Sequence, residues 1–320
     1  MDNLSKQIGK QIVFKKKNNL MKDIIKYKYI YLILFPGILF FILFCYVPMY
    51  GIQLAFKDFW INKGIWGSPL AGADGLDKFR MLLVNKDFLN AFKNTLVISG
   101  MKLVIGFPIP IIIALLINEL TSVKVKKVLQ TIFTFPHFLS WVILSGIVMT
   151  LLSTDGVVNN VIFSLGGNRV PFMTNPDIFR GMLIFTDIWK EAGWSAIMYL
   201  AAMSSIDQTL YEGATIDGAS RWQSMLNVTW PGIKSMAAML FILAVGNTMN
   251  VSFDQVFNFY NPAVFESADI IDTFVYRITF QAQGDYGFST AVSLFKGVIN
   301  CGLLLTANRI VKKLSDDSLF

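Results

Sequence analysis

The chain has 320 residues, of which 54% are hydrophobic and 15% charged; its mean hydropathy is +0.54 and its formal net charge +7. Soluble domains carry roughly 25% charged residues, so this composition fits a membrane protein and not an ordinary soluble enzyme. The positive charge is no nucleic-acid face, because eight lysines are gathered before residue 29, ahead of a long apolar block.

Residues 1–28 therefore read as a basic N-terminal segment, disordered or lying on a membrane surface. The apolar block that follows starts near Tyr29, is too long for a signal-peptide core and has no small-residue cleavage site after it. Tyr29 to Phe56 carries no charge, and a span needs about 20 apolar residues, so 29–56 is predicted to be a first span. The loop 57–90 mixes Gly, Pro and aromatics (Trp60, Trp66, Pro69) and is predicted to form a small ordered cap. Five further spans are predicted within 91–310, at about 91–118, 128–153, 181–204, 232–252 and 288–310, before a tail at 311–320. Cys45 and Cys301 fall inside apolar segments and are predicted to be buried and inert, with no disulfide framework and no metal-ligand spacing.

A backbone in lipid must satisfy its own hydrogen bonds, so these spans are helices; the alternation of a β-barrel is absent. The basic residues Lys124, Lys126, Lys127, Arg221, Lys234, Arg309, Lys312 and Lys313 share one side of the six-span layout with the N-terminus. Residues 253–287 oppose Asp254, Glu266, Asp269, Asp272 and Asp285 to Arg277 alone. Both termini are thus predicted to be cytoplasmic. Pro36, Pro48, Pro108, Pro110 and Pro136 fall in or near spans, as kinks absorbed by packing or as hinges.

Polar groups inside spans are costly and commonly face an interior or a water-filled path. Three sets have helical spacing: Asp187, Lys190, Glu191 and Trp194 in the fourth span, Asn247, Asn250 and Asp254 in the fifth, and His137, Ser140 and Trp141 in the third. Carboxylates, amides and aromatic rings of this kind suit a sugar pathway, where hydroxyls need donors and acceptors and ring faces need flat apolar contact. Interhelical polar contact and snorkelling use the same residue types. Lys102 and Lys296 are expected to pair or snorkel.

The polar stretch 205–231 lies between the fourth and fifth spans. It reads as helix, turn and helix: Asp207 can cap the first helix, Gly218 can supply the left-handed residue that ends it, and Ser220 with Gln223 has the capping-box spacing. Pro231 suits the first turn of the next span. A small polar patch held between spans is a place for a cytoplasmic partner to grip.

This loop resembles the EAA motif of binding-protein-dependent ABC importer permeases, EAA-x3-G followed by I-x-L-P. Glu212, Gly213 and Ala214 stand at E-A-A, Asp217, Gly218 and Ala219 match the following D-G-A, and Val228, Trp230 and Pro231 match I-x-L-P. Gly213, Val228 and Trp230 depart from the pattern. FPGILFFILFCYVPMYGIQLAFKDF, FPHFLSW, DIWKEAGWSAIMYLAAM and TAVSLFKGVIN resemble the carbohydrate branch of these permeases, and within it the LplB-type polysaccharide and oligosaccharide permeases, which include alginate and pectin-fragment importers. The resemblance implies an all-α, six-helix type I importer permease (MetI-like) fold in the bacterial cytoplasmic membrane. It implies a second, distinct permease subunit, two ATP-binding subunits docked on the 205–231 loop and using ATP and magnesium, and an extracytoplasmic binding protein that delivers a carbohydrate.

There is no phosphate-binding G-x-x-x-x-G-K-[ST] loop, no zinc helix and no nucleophile motif. The chain is expected to catalyse no reaction and to hold no cofactor or metal of its own. The competing reading is an ion-coupled secondary carrier acting as a homodimer, with Asp187, Glu191 or Asp254 as proton site. A third, an intramembrane enzyme, has no visible catalytic pair.

Overall fold

The structure is a computed structural model that describes residues 26–281 and 284–314. Its elements are helical throughout, and among the described residues β-pairing is limited to one isolated antiparallel bridge between Lys57 and Leu70. The chain divides into two compact units, Met1–Ile52 and Gln53–Phe320.

Five helical runs have the length and composition to cross a membrane: Lys28–Phe56, Lys86–Asn118, Trp141–Ser164, Arg221–Gly246 and Tyr286–Lys313. The sixth helix expected from the sequence is present as Pro176–Ser204. It is long enough, and three charged residues, Asp187, Lys190 and Glu191, interrupt its apolar run. Asn175 caps it by accepting from the Asp177 N–H, and Pro176 sits in its first turn, where no intrahelical donor is needed.

Proline shapes several of these runs. Helical turns of wider, π-type register occur at Phe41–Tyr46, Lys102–Gly106 and Met225–Thr229, just ahead of Pro48, Pro108 and Pro231. A proline cannot donate to the carbonyl four residues back, and its ring clashes with that carbonyl. Widening the turn moves the carbonyl aside and lets the helix run on. Pro231 accordingly lies in the first turn of the helix Trp230–Gly246, as expected, and the wider turn ahead of it joins that helix to Arg221–Ser224 in one continuous run.

Two expected spans are broken. The predicted 128–153 segment is a helix Val123–Thr134, a tight turn Phe135–Phe138, an extended Leu139, and a new helix Trp141–Leu152 capped by Ser140. The predicted 232–252 span ends at Gly246; Asn247 to Asn250 form a turn, and Ser252 caps a new helix, Phe253–Phe259. The helical faces 137/140/141 and 247/250/254 therefore do not exist as faces.

Pro176–Ser204 is the organising helix of the second unit. Its first half packs Phe179 and Leu183 against Leu144, Val256 and Phe259. Its second half packs Ala196, Tyr199 and Met203 against Ile111, Ala114, Ile233 and Ala237. Between lipid-immersed helices such contacts act through close packing and not through release of water. Gly193 shows how close: a Cβ there would overlap the carbonyl oxygen of Phe133. The 253–281 segment is a set of short helices folded into the structure: buried Asn94 donates to the Glu266 and Asp269 carbonyls, and Arg277 forks onto Asp269.

Cys45 and Cys301 are exposed, which corrects the expected burial. In a protein with an apolar exterior, an apolar sequence segment does not imply an interior position.

Candidate functional site

A cavity of about 520 Å³ opens among Lys86–Asn118, Pro176–Ser204 and the end of Arg221–Gly246. Its charged lining consists of Lys102, Asp187 and Glu191; Trp194, Asn247 and Asn250 add an aromatic surface and two amides. The two expected sets thus meet, but not by the expected route. Asn247 and Asn250 reach the cavity because the helix stops at Gly246 and turns, and Asn250 Nδ2 donates to Asn247 Oδ1 at 2.8 Å. Asp254 lies on the following helix and does not line the cavity.

One wall is an ionic chain. The Lys102 ammonium is 2.7 Å from Asp187 Oδ1 and donates to Gln255 Oε1 at 2.6 Å. Gln255 is fully buried, and its amide donates to the Leu183 carbonyl and to Thr186 Oγ1. Asp187 thus pairs with Lys102 and not with its helix neighbour Lys190. The pairing expected of Lys102 is present, and Lys296 likewise pairs with Asp272 at 2.6 Å. Gln255 is the site residue that sequence reasoning missed. The signal was Ser252-x-x-Gln255, a capping-box spacing that starts a new helix and turns residue 255, not 254, inward.

The second wall surrounds the broken helix. His137 Nδ1 is 2.7 Å from Glu191 Oε2, and its ring stacks on Trp194 with centroids 4.5 Å apart and planes 4° from parallel. Lys190 is 5% exposed and lies behind this wall, outside the cavity. Its ammonium donates to the carbonyls of His137 and Pro136, approaches Glu191 at 3.4 Å and sits over the Trp141 ring. A break in a membrane helix frees carbonyls that lipid cannot satisfy; Lys190 satisfies that of His137, while the Pro136 carbonyl also accepts from the Leu139 N–H. His137, Trp141 and Lys190 thus come together around the break, and none of them lines the cavity itself.

The 205–231 loop forms the second candidate site. Asp207 caps Gln208–Ile216 by accepting from the Thr209 N–H, which holds its carboxyl below the usual carboxylate range. Gly218 has φ 76°, and the bonds Gly218 N–H to Thr215 O and Ala219 N–H to Ala214 O close the helix end. Ser220 and Gln223 bond reciprocally and start the next helix. Tyr211 is 3.0 Å from Thr229 Oγ1 and ties the two helices together. Glu212, Gly213 and Ala214 ride on the first helix, Asp217, Gly218 and Ala219 form the turn, and Ile216 and Trp222 are exposed beside them.

A multi-helix protein with charged and amide side chains set into a cavity between apolar helices, and a capped helical loop between two of them, has the features of a membrane permease. Residues 106–313 match the family model of the binding-protein-dependent transport system inner membrane component, and the chain belongs to that family. It is 41% identical to the polygalacturonan/rhamnogalacturonan transport system permease protein YteP of Bacillus subtilis, over 97% of this chain and 96% of that one. It is also 41% identical to Protein LplB of the same organism, over 92% and 91%. Among solved structures it is similar to a chain of a bacterial ABC transporter involved in the import of the acidic polysaccharide alginate, with a TM-score of 0.84 and 41% identity over 92% of this chain and 99% of that one. A chain from a bacterial alginate ABC transporter in complex with an alginate pentasaccharide-bound periplasmic protein gives a TM-score of 0.85 at 40% identity. The fold is that of type I importer permeases, and the protein is a multi-pass permease subunit.

Proposed function

We propose that this chain is one of two transmembrane subunits of an ATP-driven importer that carries an oligosaccharide or polysaccharide fragment into a bacterial cell. The 205–231 loop carries the reading: the capped helix Gln208–Ile216 and the capped start of Arg221–Gly246 expose Ile216 and Trp222 to a partner. Two ATP-binding subunits, using ATP and magnesium, dock there from the cytoplasm, where both termini also lie. A distinct second permease completes the pathway, and an extracytoplasmic binding protein delivers the sugar. YteP is named for polygalacturonan/rhamnogalacturonan transport and the similar solved transporter for import of the acidic polysaccharide alginate, which supports an acidic carbohydrate as cargo.

In this mechanism closure of the ATPase dimer moves the loop as a rigid lever, because its helix ends are internally satisfied and Tyr211 clasps Thr229. The movement passes along Arg221–Gly246, which runs unbroken from the loop to the cavity edge at Asn247. Glu212, Gly213, Ala214, Asp217, Gly218, Ala219 and Pro231 carry coupling. Asp187, Glu191, Trp194, Asn247 and Asn250 face cargo, Lys190, His137 and Trp141 support that wall, and Asp254 has no place in it.

The test is co-purification of the tagged protein and assay of ATP hydrolysis by whatever accompanies it. A P-loop ATPase and a second permease are expected with the parent, and Glu212→Ala combined with Gly218→Pro is expected to strip the ATPase. A chain that purifies alone and transports without ATP contradicts the proposal and favours a secondary carrier.

A further inference from the structure

Trp194 is a large aromatic in the lining of a cavity that also holds Asp187, Glu191 and Asn247; it is 45% exposed, with one face already occupied. The imidazole of His137 lies flat against that face, and Phe138 meets the indole edge-on at 5.8 Å. The same imidazole holds the Glu191 carboxylate through Nδ1, and Glu191 lines the cavity beside Trp194. His137 itself is fixed from behind, since its backbone carbonyl accepts from buried Lys190. One residue on the break of a helix thus orients both a flat apolar surface and a hydrogen-bond acceptor. An indole held rigid on one face loses little freedom when a ligand covers the other.

We propose that Trp194 and Glu191 form a sugar-ring subsite in this cavity, with His137 as the positioning residue that sets both. A pyranose ring would lie on the indole face opposite His137, through its axial C–H groups, while one of its hydroxyls donates to Glu191. The inference rests on the carbohydrate reading above and assigns it a place. It also separates the cavity lining from what stands behind it: Trp194 and Glu191 contact the ring, while Lys190 and Trp141 act only on the helix break that carries His137.

The test uses the whole importer, with partner permease, ATPase and binding protein, reconstituted in vesicles and offered galacturonate oligosaccharides, alginate oligosaccharides and maltodextrins. Failure of the parent complex to take up any of these contradicts the carbohydrate reading, and the subsite with it. Where the parent transports one, Trp194→Ala is expected to raise the KM for uptake about five- to tenfold. His137→Ala is expected to raise KM less, and His137→Gln, which can still donate to Glu191, to recover part of the loss. The Trp194→Ala/His137→Ala pair is expected to fall short of the product of the two single effects, because part of what His137 does passes through Trp194. A parental KM in Trp194→Ala, or full additivity in the double variant, overturns the proposal. If Trp194→Ala fails to assemble, Trp194→Phe and Trp194→Leu decide: Phe keeps a ring face and is expected to stay near the parental KM while Leu rises, and equal KM values overturn the subsite.

Discussion

Lys102 and Asp187 stand 85 residues apart in the chain, yet their charged groups meet at 2.7 Å on the cavity wall, with Gln255 as the third member. The pair ties Lys86–Asn118 to Pro176–Ser204, while Gln255 fastens the short helix Phe253–Phe259 to both. Removing one member of such a pair leaves the other charge with fewer partners in a poorly solvated site, whereas removing both leaves no orphan. Asp187→Leu and Lys102→Met are each expected to lower the melting temperature of the purified protein. The double variant is expected to recover part of the loss, with a coupling energy of about 1–3 kcal/mol. Additive losses would show that the pair does not bridge the helices.

Gly193 faces the backbone of Phe133 at the edge of the broken helix. Backbone cannot move aside as a flexible side chain can, so Gly193→Ala is expected to destabilise by about 1–3 kcal/mol. The reading is thermal unfolding in detergent, with Gly181→Ala as control, because nothing lies near a Cβ at that position of the same helix. Equal melting temperatures for the two variants would show that the contact is not tight.

Gly218 holds a left-handed conformation that closes the loop's first helix. A β-branched residue in that region is strained, at about 1–2 kcal/mol. Gly218→Val is expected to leave the protein in the membrane but to lower ATPase recovery on co-purification. Gly218→Asn, better tolerated at positive φ, is expected to behave more like the parent. Parental recovery with Val would remove this turn from the coupling argument.

Asp207 gives a pH prediction of definite sign. Its carboxylate accepts the Thr209 N–H, and the folded-state pKa lies below the ordinary value of 3.8. A group with a depressed folded pKa contributes stability above its unfolded pKa and loses it as pH falls through the folded one. The loop helix Gln208–Ile216 is therefore expected to be at full strength above about pH 5 and to weaken below about pH 4. Protection of its amides, taken relative to the intrinsic exchange rate at each pH, is expected to fall with acid in the parent and to show a smaller acid dependence in Asp207→Ala. The same acid dependence in both would show that the cap does not govern the loop.

The loop was legible in the sequence because its signals are local: Asp207, Gly218 and the Ser220/Gln223 box each act within a few residues, and each occupies its expected position. The breaks at 135–140 and 247–252 were not legible as breaks, because apolar content continues through them and hydropathy does not register a change of backbone direction. Small cues were present in Ser140 and Ser252, which cap the restarted helices. The partners of Asp187 could not be read from spacing, since Lys190 lies one turn away on the same helix while Lys102 comes from another. Burial of the cysteines was misjudged for a related reason: in lipid, apolar residues cover the outside as well as the inside.

The most direct measurement is sugar uptake by proteoliposomes that hold the reconstituted complex, with and without ATP enclosed with the ATPase, for the parent and for Glu212→Ala combined with Gly218→Pro. The account predicts uptake that requires ATP and the binding protein in the parent and is lost in the double variant, while the permease remains folded. Uptake that proceeds without ATP, or that survives the double change undiminished, would contradict it.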